Sequence, residues 1–421
     1  MFSSIKTFEK LQAISGKYLS PRRYLNYGWR KFYYVRARLN LPSQVDITRK
    51  RWLEFGDNEM IKLRARTLEF IARCHCPTDG IGAYSFKPGG PAILYASCYA
   101  ALTLHLYGEL QRYPKHMLIQ WGDYLNSFQG NDGVYRDPRL ACTSAEQLHW
   151  WGWYHLTLHV LMALRVIGTT AARLLTPVEL FRHRGSMASW LRTRNWKKEP
   201  ANVSNQIQNI GTMLQYSRDF QEQVWCQRAL EEMYAWLDKH QDNSTGSWWA
   251  RVDSAHGISK AVQTGYHIWM LYFYDGRPLK HTERIIEYCL KTQNCMGGFG
   301  VVINSSACED IDSIDPLVRL MRLHGYRNEI YTALERALYW VLANFNDDGG
   351  AVFRRYEPLW YGHHLMSGRS NEATMFPTWF RTLSLAYIGQ ALPDTAVGRY
   401  RWHFLRTPGH QFFFPPEEKC S

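Results

Sequence analysis

The chain has 421 residues, 46% hydrophobic and 15% aromatic, with 17 Trp and 26 Tyr, and it carries a net charge of +13. This composition excludes a disordered chain and predicts a globular protein with a large core and an aromatic-lined cavity. The sequence contains no apolar run of about eighteen residues, so we predict no transmembrane helix. Nine cysteines at irregular spacing and the lack of a secretory signal favour reduced thiols in a cytoplasmic protein.

The N-terminal segment, residues 1–55, is predicted to be a basic, aromatic extension. Residues 1–53 hold twelve Lys and Arg against Glu9 and Asp46, so +10 of the net charge lies there. Cations interspersed with Tyr and Trp suit the surface of an anionic membrane, and we expect a peripheral membrane contact. A basic segment that packs on its own domain or on a partner protein is the alternative. Since no nucleic-acid motif accompanies the charge, we expect no nucleic-acid partner.

Residues 56–395 repeat a unit of about fifty residues. Glycine-rich turns recur at Gly80, Gly133, Gly246, Gly297 and Gly349, with gaps of 53, 113, 51 and 52 residues. The long gap holds two units, because a degenerate turn fits at 192–200. Six units are therefore predicted.

In each unit a helical stretch with charged residues precedes the turn, and a second stretch that is apolar on nearly every side follows it. Examples of the second kind are residues 94–108 and 377–389. A helix that is apolar all round is buried. We therefore predict an all-α fold, an (α/α)6 toroid over residues 56–395 in which six inner helices surround a cavity, followed by a C-terminal tail at 396–421.

An acidic cluster stands out in this basic chain, with Glu309, Asp310, Asp312 and Asp315 within seven residues. Asp315 precedes Pro316, which is typical of an N-cap followed by proline at N1. The other three are too many for one cap, so we expect at least one to face the cavity. The alternative that Glu309 or Asp310 pairs with an arginine stays open.

Neighbouring carboxyls favour a shared proton and raise one pKa, as a general acid requires. A histidine of the last connection, His363 or His364, is the candidate partner of that acid. The histidines of the inner helices, such as His155 and His159, are expected to be satisfied core residues.

The motifs "YLNSFQGNDGVY", "WLDKHQDNSTGSWW" and "YCLKTQNCMGGF" each place a glutamine a few residues before a glycine turn. Over roughly residues 60–392 the chain resembles the terpenoid cyclases and protein prenyltransferases, and the motifs are nearest to class II, squalene-cyclase-type enzymes. "DIDSIDPLVRL" resembles the Asp-x-Asp-Asp motif of that class. Asp310 and Asp312 match its first two acids, and Ser313 stands at the third.

The resemblance implies that Asp312 is the proton donor for cyclisation of a polyprenyl or prenylated substrate, a hydrophobic isoprenoid-type molecule. Protein prenyltransferases bind zinc at this place of the barrel through Asp and Cys. Here Glu309 and Asp310 lack the following cysteine, so we expect no metal or other cofactor.

Aromatic faces stabilise a developing carbocation, and core packing is the alternative role of each candidate. The candidate substrate-binding residues are Trp150, Trp153, Tyr266, Trp269, Trp360, Trp379, Phe380 and Glu372.

Two other functions stay open for this sequence. A glycoside hydrolase or polysaccharide lyase would use aromatic residues to stack on sugars, with Asp312 and Glu372 as acid and base. A non-catalytic barrel protein would keep the fold alone.

Overall fold

The computed structural model describes residues 21–141, 152–248 and 252–413, with the side chains of the first helix described from residue 32. The predicted all-α class is confirmed, since the described chain is mostly helical. The helices are α1 Pro21–Cys74, α2 Leu94–Leu106, α3 Lys115–Asn126, α4 Tyr154–Ile167, α5 Ser186–Arg192, α6 Pro200–Phe220, α7 Cys226–His240, α8 Ala255–Tyr274, α9 Thr282–Lys291, α10 Ala307–Leu320, α11 Arg327–Leu342, α12 Met375–Ala391 and α13 Ala396–Arg399.

Short elements complete the described part. Two strands, β1 Leu359–Trp360 and β2 Ser367–Gly368, pair antiparallel within the connection that leads to α12. Single 3₁₀ turns lie at Leu110–Arg112, Pro138–Leu140, Thr176–Phe181 and His364–Met366.

The most buried helices contact one another in a closed cycle. In chain order, α2 contacts α4, α4 contacts α6, and so on through α8, α10 and α12, and α12 returns to contact α2. Helices α2 and α12 are buried at almost every position, as their all-round apolar sequences predict. The more polar helices α3, α7, α9 and α11 each contact one or two members of this cycle.

The recurring glutamines have the same role in three units. Each glutamine amide donates to the carbonyl of its own turn glycine and to a carbonyl of the next unit. The pairs are Gln129 with Gly133 and Arg173 at 3.0 and 3.0 Å, Gln241 with Gly246 and Lys280 at 2.8 and 3.2 Å, and Gln293 with Gly297 and Ala333 at 2.9 and 2.7 Å. Glycine is favoured at these turns because φ is positive, between 67° and 98° at the three positions. The repeated motif therefore joins consecutive units.

Helix α1 spans residue 55, the predicted end of the N-terminal extension. Phe55 is non-helical (φ −124°, ψ 22°), so a kink marks that boundary. Before the kink, Ala37, Leu41 and Trp52 are buried, and α1 contacts α11 and α13. Within the described ranges no helix combines the length and the hydrophobicity that crossing a bilayer requires.

Candidate functional site

Helix α10 begins with a capping box that uses the first acid of the cluster. Ser306 is the N-cap: its Oγ accepts from the backbone N of Glu309 at 3.2 Å, and Glu309 Oε2 accepts from the backbone N of Ser306 at 2.7 Å. Glu309 Oε2 also accepts from Nη2 of Arg354 at 2.8 Å. Burial favours the neutral acid, but Arg354 and Ser306 outweigh it and lower the pKa of Glu309. Glu309 is thus an ionised cap.

Asp310 is fully buried and surrounded by donors. Its Oδ1 accepts from the backbone N of Phe299 at 2.7 Å and from Ser305 Oγ at 2.8 Å. Its Oδ2 accepts from Trp340 Nε1 at 2.8 Å and forms an ion pair with Arg381. A carboxylate offers about four acceptor sites, so these contacts use its capacity. The structure favours the alternative in which Asp310 has a structural role. Its hydrogen bond from Trp340 joins α10 to α11, and its ion pair with Arg381 joins α10 to α12.

Asp312 differs from both neighbours. Its side chain is 5% exposed, and its carboxyl has no hydrogen-bond or ion-pair partner among the described residues. Burial, followed by repulsion from Glu309 and Asp310, raises the pKa of Asp312 well above its ordinary value. Burial and the two neighbouring acids thus favour the neutral form of this carboxyl, and no described residue accepts a hydrogen bond from it.

The surroundings of Asp312 are aromatic and sulfur-containing side chains. It lies close to Cys308, one turn earlier on α10, and to Tyr266 of α8; burial is the larger cause of the raised pKa of both groups, and ionised Asp312 would add to it. Cys308 in turn lies near Tyr361 and Tyr99. Asp312 therefore lies near the inner helix α8, through Tyr266, and near the polar helix α9, where after burial it also raises the pKa of Cys289.

A set of rings, here called the aromatic wall, lies on the same inner side. It consists of Tyr99 on α2, Tyr361 in the last connection, and Phe376, Trp379 and Phe380 on α12. Their ring centroids are close: Tyr99 to Trp379 5.2 Å, Trp379 to Phe380 4.5 Å, Phe376 to Phe380 4.8 Å, and Tyr361 to Phe376 4.2 Å. Several of these faces stack on one another and the four rings on α2 and α12 are buried, so the set forms a contiguous aromatic cluster in the interior.

Helix α4 brings two buried histidines to the aromatic wall. The rings of His155 and His159 are 4.5 Å apart, and Tyr95 OH lies 2.7 Å from Nδ1 of His155. His159 Nδ1 lies 2.8 Å from the backbone O of His155. Because a carbonyl only accepts, Nδ1 of His159 carries the proton and Nε2 keeps its lone pair. Burial lowers the pKa of His159 to about 4, so the ring is neutral at pH 7.

The Nε2 atom of His159 lies among rings. The ring centroids of Tyr95, Tyr99 and Trp379 are 5.5, 5.4 and 5.5 Å from that of His159, and no described residue donates to this nitrogen. Nε2 of His159 is therefore a hydrogen-bond acceptor without a described donor. Its helix, α4, is the opposite member to α10 in the cycle of six helices.

Two further neutral imidazoles extend this interior. Ser204 Oγ lies 3.1 Å from Nδ1 of His267 on α8, and Gln208 Nε2 donates to Nε2 of His410 at 3.2 Å. Burial lowers the pKa of His267 to about 4 and that of His410 well below its usual range.

The C-terminal segment is part of the interior, although the sequence suggests a separate tail after residue 395. Gln411 Oε1 accepts from Trp379 Nε1 at 2.6 Å, and Gln411 Nε2 donates to the backbone O of Leu102 at 2.8 Å. Arg319 Nη2 donates to the backbone O of Phe412 at 2.5 Å. These contacts tie the segment to α2, α10 and α12.

The expected N-cap role of Asp315 is wrong. The helix begins eight residues earlier, at Ala307, and Pro316 lies inside it. Asp315 is fully buried, pairs with Arg319 at 2.5 Å and accepts from Tyr266 OH at 3.0 Å. The Ser306 capping box starts the helix before the Asp-Pro pair is reached, which places Glu309, Asp310 and Asp312 in its first two turns and Asp315 in the third.

The predicted aromatic residues separate into inner and outer positions. Tyr266, Trp379 and Phe380 lie on the inner side described above, and Trp153 is buried just before α4. Trp150 lies outside the described residues.

Trp269 and Trp360 lie elsewhere. Trp269 Nε1 donates to the backbone O of Gly246 at 3.1 Å, in the turn after α7, so this ring packs toward the polar layer. Trp360 on β1 is 67% exposed. The structure does not bring these two rings to Asp312.

The polar candidates of the last connection also lie apart from Asp312. His364 is exposed and its ring contacts that of His363 at 4.2 Å, which does not supply a partner to the buried acid. Glu372 Oε2 accepts from Nζ of Lys87 at 2.9 Å and from the backbone N of Arg369 at 2.7 Å. Although burial opposes ionisation, these donors lower the pKa of Glu372.

Sequence reasoning did not identify the ion-pair partner Arg381, the acceptor His159 or the buried Gln411. A cation and a histidine in an otherwise apolar helix are the available signals for the first two. In the described part of the chain, no three His, Cys, Asp or Glu side chains converge in an arrangement that could hold a metal ion. Comparison with protein-family models and with curated proteins gives no match to this chain.

Proposed function

We propose that the chain is a class II-like terpene cyclase, in which Asp312 protonates a polyprenyl or prenylated substrate within an aromatic-lined chamber and so starts its cyclisation. The observation that carries the proposal is the state of Asp312. It is a buried carboxyl whose raised pKa favours the neutral form, it has no partner among the described residues, and it lies next to two acids that are both engaged. An acid that protonates an alkene must hold its proton at neutral pH and present it to an apolar space.

The proposed architecture is an (α/α)6 toroid. The closed cycle of α2, α4, α6, α8, α10 and α12 supports it, as do the polar helices that contact the cycle. The glutamine-to-glycine contacts that join consecutive units support the likeness to squalene-cyclase-type repeats.

The proton balance of the proposed step is simple. The O–H bond of Asp312 breaks, and the π electrons of the substrate alkene form a C–H bond with that proton. The cation left on the adjacent carbon is attacked by the next double bond, which closes a ring. Each aromatic face near the cation contributes about 0.5–2 kcal/mol, and Tyr99, Trp379 and Phe380 are the rings available for this.

The sequence of steps ends when the last cation loses a proton. Nε2 of His159 is neutral, unprotonated and without a described donor, so it is suited to accept that proton. Asp312 on α10 and His159 on α4 thus occupy opposite members of the six-helix cycle.

The serine at the third position of the acidic motif is a departure from the class II pattern. Ser313 Oγ lies 3.2 Å from Thr292 Oγ1, at the end of α9, so its side chain is directed to the polar layer.

A carbohydrate-active enzyme is the second candidate because two carboxyls have opposite pKa shifts. Asp312 is shifted toward the neutral acid and Glu372 toward the carboxylate, a pattern that acid and base catalysts share. Ser204 and Gln208 on α6 would supply hydrogen bonds to sugar hydroxyls.

The test is incubation of the full chain with geranylgeranyl-type and squalene-type substrates, beside oligosaccharides. We expect cyclised isoprenoid product from the wild type and at least a hundredfold less from Asp312→Asn, since general acid catalysis contributes about 10²–10⁴-fold. Asp123→Asn, at an exposed position of α3, is the matched control. Equal isoprenoid turnover by Asp312→Asn would reject the mechanism. Sugar cleavage that depends on both Asp312 and Glu372 would favour the second candidate.

A further inference from the structure

We propose that the outward face of α1, before its kink, docks on an anionic lipid bilayer surface. This face is a stripe of large apolar side chains, here called the α1 stripe, formed by Phe32, Val35, Leu39, Ile47 and Leu53. The proposal stands apart from the chemistry at Asp312, because it uses neither the same residues nor the same helices.

The α1 stripe lies on one side of the helix. At 3.6 residues per turn its members fall within an arc of about 120°. Leu39 is 74% exposed and Ile47 65%, and the other members are also exposed. Single exposed apolar residues are ordinary on a protein surface, but five on one side of a helix, interspersed with Arg36, Asp46 and Lys50 in the same arc, form an amphipathic surface suited to an interface.

The opposite side of α1 is fixed to the body of the protein. Ala37, Leu41 and Trp52 are buried, and Gln44 Nε2 donates to the backbone O of Ala343 at 2.9 Å. Gln44 Oε1 also accepts from Tyr356 OH at 3.1 Å. Folding therefore uses one face of the helix and holds the α1 stripe outward in a defined orientation.

The positive charge of the N-terminal segment indicates which partner binds the α1 stripe. The first 53 residues carry +10, whereas the rest of the chain carries +3. A second copy would bring two such segments together and would be repelled. An anionic bilayer attracts each cation near its surface by about 1 kcal/mol, and the apolar side chains can enter its interfacial region.

Polar residues beside the stripe suit the headgroup level. Lys50 pairs with Asp46 at 2.9 Å on the outward side, and Arg38 has no ion-pair partner in the described chain. Long cationic side chains place their charge at the headgroups while their methylenes cover apolar surface. Helix α1 would thus lie in the plane of the interface and not across the bilayer.

The experiment is flotation of the full-length protein with phosphatidylcholine vesicles, with and without phosphatidylserine. We expect binding that requires phosphatidylserine and weakens as salt is raised. Leu39→Glu should reduce the vesicle affinity at least tenfold, because burial of one leucine contributes about 1.5–3 kcal/mol. Leu180→Glu is the matched control, since Leu180 is 65% exposed outside α1, and it should bind as the wild type does.

Two results would overturn the proposal. One is equal flotation of wild type and Leu39→Glu with phosphatidylserine vesicles. The other is absence of wild-type flotation together with a dimer, seen by light scattering, that Leu39→Glu converts to a monomer; a second copy would then cover the stripe. Circular dichroism checks that both variants fold. Isoprenoid turnover in detergent separates this proposal from the cyclase, because Leu39→Glu should keep it.

Discussion

Arg381 on α12 forms a fully buried ion pair with Asp310 on α10. The acids of the cluster around this pair have different roles. Asp310 uses its acceptor sites to join three helices, Glu309 caps α10, and Asp312 keeps a carboxyl with no described partner. With Asp315, which pairs with Arg319, three acids of the cluster have structural partners, and after burial the negative charge of Glu309 and Asp310 favours the neutral form of Asp312.

Removal of the Asp310 charge should destabilise the protein strongly. Asp310→Asn leaves Arg381 buried without its counter-ion, which costs about 3–5 kcal/mol in the free energy of unfolding. Urea denaturation measures this, and Asp123→Asn on the surface of α3 should change the value by less than about 0.5 kcal/mol. A loss below about 1 kcal/mol for Asp310→Asn would show that the ion pair has no structural role.

Asp312→Asn should instead raise the free energy of unfolding relative to the wild type, and the gain should depend on pH. The folded-state pKa of Asp312 is raised, so the stability it contributes is fully present below its unfolded pKa, near 3.9, and is lost as pH rises toward the folded value. Because the amide of the Asp312→Asn variant does not titrate, the variant does not lose this stability as pH rises. Its stability relative to the wild type should therefore grow from about pH 4 upward, by at most about 1.4 kcal/mol per pH unit. Urea titrations at several pH values test this, and a constant difference across the range would contradict it.

The neutral histidines should make the fold sensitive to acid. The pKa of His159 is lowered to about 4, so its contribution is present above the unfolded pKa of about 6.5 and is lost as pH falls toward 4. The loss for this residue alone is about 3 kcal/mol. His159→Gln should flatten the decline of stability between these pH values, whereas the exposed His116→Gln should leave it unchanged. Identical slopes for both variants would mean that His159 titrates normally.

The C-terminal segment should contribute to stability as core residues do. Gln411→Ala removes the acceptor of Trp379 Nε1 and the donor to Leu102, so buried groups lose their partners at a cost of about 1–3 kcal/mol each. Thermal and urea unfolding measure the effect. Gln227→Ala, on the exposed side of α7, is the control, and an equally small change in both variants would argue against a buried C-terminal segment.

The sequence predicted the helical class and the repeated units because these depend on local patterns. Apolar helices and glycine turns can be recognised from short stretches of sequence. The turn at Gly133, where φ is positive, is one example. The position of individual rings was harder to predict. Trp269 and Tyr266 lie on one helix that is apolar all round, so no periodic pattern tells which of them faces inward.

Long-range contacts account for the other differences. Asp315 precedes a proline and has the pattern of a cap, but Ser306 starts the helix earlier and Arg319 and Tyr266 take up the carboxylate. Gln411 lies in a segment without helical periodicity, and only its contacts with Trp379 and Leu102, which are distant in sequence, bury it.

The most direct test of the account is the protonation state of Asp312 at pH 7. An infrared difference spectrum of wild type minus Asp312→Asn isolates this one carboxyl from every other acid of the chain. We predict the carbonyl stretch of a protonated carboxylic acid, which disappears only when the pH is raised well above the ordinary range for aspartate. The symmetric and antisymmetric stretches of a carboxylate at pH 7 would contradict the assignment of Asp312 as the proton donor.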